Sequence, residues 1–179
     1  MSRHIHVHAD WLGEEPALIG TLTADRVRGK EHFSFAYSID WLQRVDTPYL
    51  KIDPDLHLFE GDQHKGDDRN FRVFLDSCPD RWGRLLMQRR EAVLARRDGR
   101  KPKALQESDY LLGVCDQYRM GALRFKTDPD GPFLDDDERL SAPPITSLRE
   151  LEHAARQIEQ NVDFDDPEYI KWLFMSMPV

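Results

Sequence analysis

The sequence predicts an α+β fold, with an amino-terminal antiparallel sheet and packed helices followed by a mostly helical second part. Three observations predict it. Apolar and polar residues alternate with period two near the amino terminus and again over residues 32–37, a helical period takes over after Pro79, and Ser147 with Glu150 three residues later marks a further helix start. A chain of 179 residues holds one ordinary domain or two small ones, and 40% hydrophobic content suffices for a modest core.

In the opening RHIHVHADW, Ile5 and Val7 face one way and His4, His6 and His8 the other, as in a strand. Three histidines on one strand face have the chemistry of transition-metal ligands, yet no carboxylate or cysteine is visibly committed to completing a site. A solvated strand face is the preferred reading. Residues 17–23 contain a second short run, and Phe33, Phe35 and Tyr37 alternate in a third, so an antiparallel meander is expected. Residues 39–42 read as a helical turn. Pro48, Asp53-Pro54 and the polar stretch 61–69, expected to be mobile, then punctuate the approach to the longest periodic segment.

That segment, FRVFLDSCPDRWGRLLMQRREAVLARR, spans residues 71–97. Val73, Phe74 and Leu75 read as a strand or extended lead-in, Asp76 and Ser77 as a turn, and the rest as a helix. Pro79 suits a first helical turn, where a missing N–H is harmless, and Asp80 sets a carboxylate near the positive end of the helix dipole. Trp82, Leu85, Leu86 and Val93 form an apolar face, with Trp82 expected as a core anchor; Arg84, Arg89, Arg90, Arg96 and Arg97 surround it. Gly99 offers a left-handed stop.

A basic linker, Arg100, Lys101 and Lys103 around Pro102, leads to an expected helix at 105–112 ended by Gly113. Residues 120–125 form a short strand candidate, and DPDGPF favours a tight turn. Ser147 and Glu150 form a capping box before Leu148, Leu151, Ala155 and Ile158, and a last helix is expected to begin at Asp166-Pro167 and to present Tyr169, Ile170, Trp172 and Leu173.

The net charge of −8 argues against whole-surface attraction to nucleic acid or an anionic membrane, but the charge is uneven. Residues 84–103 carry eight Arg or Lys against two acids, whereas residues 128–138 carry six acids and no base. The basic helix can thus grip phosphates or pair with an acidic neighbour. Cys78 and Cys115 lack metal spacing and fit reduced thiols of a cytoplasmic protein; with neither a signal peptide nor a long apolar run, no membrane contact is expected.

No glycine-rich phosphate loop spacing occurs. Ser77, His64 and Asp76 assemble a hydrolytic triad on paper, but with seven histidines such sets arise by chance. Asp76 and Asp80 have the chemistry for acid–base work, but carboxylates at a helix start more often cap N–H groups.

Three ordered blocks, VFLDSCPDRWGRLLMQRREA, ESDYLLGVCDQYRMGALRF and PPITSLRELEHAARQIE, together with the opening IGTLTADRVRGKEHFSFAYSIDWL, closely resemble the amino-terminal part of HipA-like serine/threonine kinases, the toxin kinases of bacterial toxin–antitoxin modules. The resemblance covers nearly the whole chain. It implies a HipA-like amino-terminal subdomain at 1–103 and the start of a kinase small lobe at 104–179, truncated before the ATP-phosphate loop. The family's ATP loop, nucleotide-contacting lysine, catalytic aspartate and magnesium-binding aspartate have no counterpart in these residues, so no catalytic, cofactor or metal residue is assigned. ATP and Mg²⁺ are expected only if a kinase core completes the chain. The resemblance implies an interaction or regulatory module that binds a kinase core or a HipB-like antitoxin, reaching DNA through the antitoxin; the alternatives are a fragment of a full kinase and a basic-helix nucleic-acid binder. Asp80, Arg81, Trp82, Arg84, Arg89 and Arg90 are the candidate partner interface. Trp172, Leu173 and Phe174, without the rest of a lobe to cover them, favour self-association.

Overall fold

The computed structural model describes residues 2–13, 15–46, 50–65, 70–114, 119, 121–134 and 156. The chain divides into one unit of Met1–Cys78 with Gln106–Asp136 and another of Pro79–Leu105 with Asp137–Val179.

The first unit is built on the expected meander. β1 (Ser2–Ala9), β2 (Ala17–Val27) and β3 (Lys30–Tyr37) pair antiparallel in sequence order. The β2–β3 turn is only Arg28-Gly29 between the paired Val27 and Lys30, with φ of 50° and 87°, the doubly positive geometry whose twist matches the flanking strands. Glycine costs nothing there. Two short strands complete a five-stranded sheet in the order β4-β3-β2-β1-β5: β4 (Gln63–His64) on β3, and β5 (Leu123–Lys126) on β1. The strand candidate at 120–125 therefore folds with the amino-terminal sheet, its described part being Leu123–Lys126.

Alternation makes one sheet face apolar, and Ile5, Val7, Leu22, Phe35 and Phe125 on it are fully buried. Phe74 meets them from α2 (Arg72–Asp76), its ring 5.5 Å from Phe35, 6.1 Å from Phe71 and 6.4 Å from Phe125, centroid to centroid. Burying each such ring contributes about 2–3 kcal/mol. Burial also pushes the Tyr37 phenol up to about 12.

The strand or extended lead-in expected at Val73–Leu75 is instead this helix. Its reason lies twenty residues upstream: Asp53 Oδ2 accepts from Val73 N at 2.8 Å and satisfies an N–H of the first turn, while its Oδ1 accepts from Asp55 N at 2.8 Å. α1 (Ile39–Leu42) forms as expected, capped by the Ser38 hydroxyl on Trp41 N.

α4 (Glu107–Leu112) ends at Gly113 and starts with a reciprocal cap between Gln106 and Asp109. Glu31 of β3 adds two more bonds, accepting from Ser108 N at 2.9 Å and Ser108 Oγ at 2.5 Å, and Arg3 of β1 donates to Asp109 at 2.7 Å. At the opposite end, buried Arg119 donates to the carbonyls of Ser77, Leu111 and Val114 at 2.7–2.9 Å and lies 4.5 Å over the Phe125 ring. The expected DPDG turn closes with Gly131 N on Asp128 O.

In the second unit, α3 (Arg81–Arg97) is the long amphipathic helix. Pro79 precedes its cap residue rather than entering the first turn. Gly83, Leu86, Met87, Val93 and Ala95 are its buried residues; Trp82 and Leu85, expected on the core stripe, are half-buried. The acid run beyond residue 134, Cys115, loop residues 66–69, the capping box at Ser147 and the last helix at 166–174 lie outside the described residues. No helix among the described residues is long and apolar enough to cross a membrane.

Candidate docking site

Local chemistry fixes both ends of α3. Asp80 has extended backbone, and its Oδ1 accepts from Gly83 N at 2.8 Å; capping, rather than proton transfer, is its observed role. Arg84 Nε reaches back to Pro79 O at 3.2 Å, which draws a cation over the helix start. At the other end Gly99, at φ 66°, donates to Arg96 O, and Arg100 N donates to Ala95 O at 2.8 Å, the paired bonds of a Schellman stop.

An open groove of about 810 Å³ runs along the first two turns, lined by Asp80, Arg81, Trp82, Arg84, Leu85 and Gln88. Four of the six sequence-predicted interface residues, Asp80, Arg81, Trp82 and Arg84, line it. Arg89 and Arg90 sit one turn further along, half-buried and outside the groove's described lining. The groove's lining combines a half-buried indole, two arginine side chains and the Gln88 amide. Such a surface suits a side chain that is apolar at its tip and flanked by carboxylates.

Further along, Glu91 gathers the basic linker. Its carboxylate takes two bonds from Arg100, at 2.5 and 3.1 Å, and one from Lys103 N at 2.7 Å. The Arg100 guanidinium, with the Lys103 N–H second, holds its pKa down to about 2. Arg97 pairs with Asp98 at 3.3 Å. Part of the positive run is therefore answered locally.

Sequence reasoning missed a second groove, in the first unit, of about 430 Å³ and lined by residues including Trp11, Leu50, Ile52, Val73, Asp76 and Leu123. Trp11 is 41% exposed and touches Trp41 edge-on at 6.3 Å. No periodic signal distinguishes Trp11 from a core tryptophan, because it lies in the irregular β1–β2 connection. The paper triad does not form: the Ser77 hydroxyl donates to Val73 O at 2.9 Å, and neither His64 nor Asp76 bonds to it. Cys78 Sγ donates to Phe74 O at 3.2 Å.

The outer sheet face holds five of the seven histidines. β1 contributes His4, His6 and His8; strand register adds His32, two residues before Ser34, and His64, which pairs with Ser34. His4 is exposed as expected, but His8 is covered by Phe133, ring centroids 5.1 Å apart. Burial, reinforced by the neighbouring His4, lowers the His6 pKa. Comparison with family models, curated proteins and solved structures gives no match.

Proposed function

We propose that this chain is a cytoplasmic interaction module of the HipA-like kind, which docks a kinase core or a HipB-like antitoxin through the groove at the start of α3. The observation that carries this reading is the groove itself: half-buried Trp82 lines it together with Arg81 and Arg84, within the first of the sequence blocks that resemble HipA-like kinases. An indole lining a groove with two arginines is the composition typical of an interface centre, where aromatic and arginine side chains carry most of the binding energy. The residues that would position triphosphate and metal have no counterpart in the sequence, so the chain contributes surface rather than phosphoryl transfer. ATP and Mg²⁺ enter only with a kinase core.

A second reading, direct contact with nucleic acid, draws on the exposed Arg96, Arg97, Lys101 and Lys103 around the end of α3. It requires retention on DNA that falls steeply with salt.

The discriminating experiment pairs nucleotide turnover with binding. Alone, the purified chain is expected to leave ATP intact; mixed with a HipA-like kinase core, it is expected to bind and to change the core's phosphorylation rate. ATP consumption by the chain alone, abolished by a point change within it, overturns this reading.

A further inference from the structure

Two exposed-face histidines of β1 are held alike. His4 Nδ1 lies 3.2 Å from Thr23 Oγ1, and His6 Nδ1 lies 3.4 Å from Thr21 Oγ1. The register makes each pair directly cross-strand, His4 opposite Thr23 and His6 opposite Thr21. In both rings Nδ1 is thus engaged by a neighbouring hydroxyl, which leaves Nε2 as the nitrogen for an ion. When Nδ1–H donates to the threonine hydroxyl, Nε2 carries the lone pair, which is the arrangement of metal-binding histidines, whose outer partner accepts from the other ring nitrogen.

We propose that His4 and His6 form an open two-histidine site for a divalent transition-metal ion of the zinc and nickel class on the outer face of the sheet. Residues two apart on a strand share a face, with Cα atoms about 7 Å apart. Two imidazoles leaning toward each other across that span meet one ion at about 2.0–2.1 Å from each nitrogen. Imidazole suits zinc, nickel and copper, whereas the hard ions magnesium and calcium need oxygen ligands. The hydroxyls of Thr21 and Thr23 hold the rings in place, so less freedom is lost when the ion binds.

Two further charges act on His6: the Asp128 carboxylate, which favours a bound cation, and Lys126, opposite His6 on β5, whose ammonium is drawn over the Phe133 ring at 4.5 Å. Among the described residues no three of His, Cys, Asp and Glu gather closely enough to hold a metal. The site is therefore open, its remaining positions filled by water or by a group from a partner, as in metal sites that exchange ligands. This inference is independent of the docking groove on α3, which lies in the other unit.

The test is a calorimetric titration of the full chain with Zn²⁺ and separately with Ni²⁺, alongside imidazole nitrogen NMR. One ion is expected per chain, with the Nε2 resonances of His4 and His6 moving together. His4→Ala and His6→Ala are each expected to abolish that event, and circular dichroism checks that both variants fold. His32→Ala is expected to leave it unchanged. Thr21→Val and Thr23→Val keep both ligands and are each expected to weaken binding by about tenfold through the lost outer partner. Unmoved His4 and His6 resonances at saturating Zn²⁺, or wild-type affinity in His6→Ala, overturn the proposal, as does equal binding of Mg²⁺.

Discussion

α3 and the short helices α2 and α4 solve the same problem in opposite ways. A helix leaves four N–H and four C=O groups without partners at its ends. α3 supplies its own: Asp80 caps one end, and Gly99 with Arg100 closes the other. The short helices borrow partners from far along the chain, even where α4 also has its local Gln106–Asp109 cap. Asp53 caps α2 across twenty residues, Glu31 reaches Ser108 across 77, and Arg119 takes carbonyls from the ends of both. A five- or six-residue helix is far below the length at which a helix persists alone, so it exists only where tertiary partners hold it. α3, at seventeen residues, depends less on them.

The difference predicts that borrowed caps matter to the whole sheet unit and local caps only to the helix they close. Arg119→Ala is the strongest way to break it. It strips three carbonyls of a charged donor, two of them in buried bonds, and is expected to cost about 3 kcal/mol or more in denaturant unfolding, with Arg119→Lys failing to restore it because an ammonium lacks the fork. Asp53→Ala removes two bonds at once and is expected to cost about 2 kcal/mol, with amide exchange accelerating across α2 and the sheet together. Asp80→Ala is expected to cost about 1 kcal/mol, with faster exchange confined to the first turn of α3. Exchange spreading into β1–β3 in that variant contradicts the comparison.

The smallest effect is a titration. The folded-state pKa of Glu91 is depressed to about 2 by Arg100 and the Lys103 N–H, so the stability it contributes is present above the ordinary carboxylate range near 4.5 and fades as pH falls toward 2. Glu91→Gln is expected to flatten stability against pH within that window, lowering it at neutral pH and leaving it little changed near pH 2. An unaltered acid profile contradicts the clasp.

The same contrast decides what the sequence made legible. β1–β3 follow from alternation, and α3 from period, Asp80 and Gly99, all signals within a few residues of what they describe. α2 was not legible, because Val73, Phe74 and Leu75 form an apolar run too short to tell strand from helix, and the cap that decides it sits at Asp53. β4 was hidden in a polar loop for the same reason, and with it the place of His64 on the outer face. At the candidate site, Asp80, Arg81 and Arg84 were read from the basic helix start. Trp82 was named for the interface but also expected in the core, because periodicity places a side chain on a face without saying whether that face is covered.

The central claim is that the start of α3 is a docking surface. Calorimetric titration of the chain against a HipA-like kinase core, repeated with Trp82→Ala and Arg84→Glu, tests it most directly. The account predicts saturable binding that weakens at least tenfold in either variant while Arg96→Ala stays near wild type. Binding unchanged by both groove variants, or no binding by the folded chain, contradicts it.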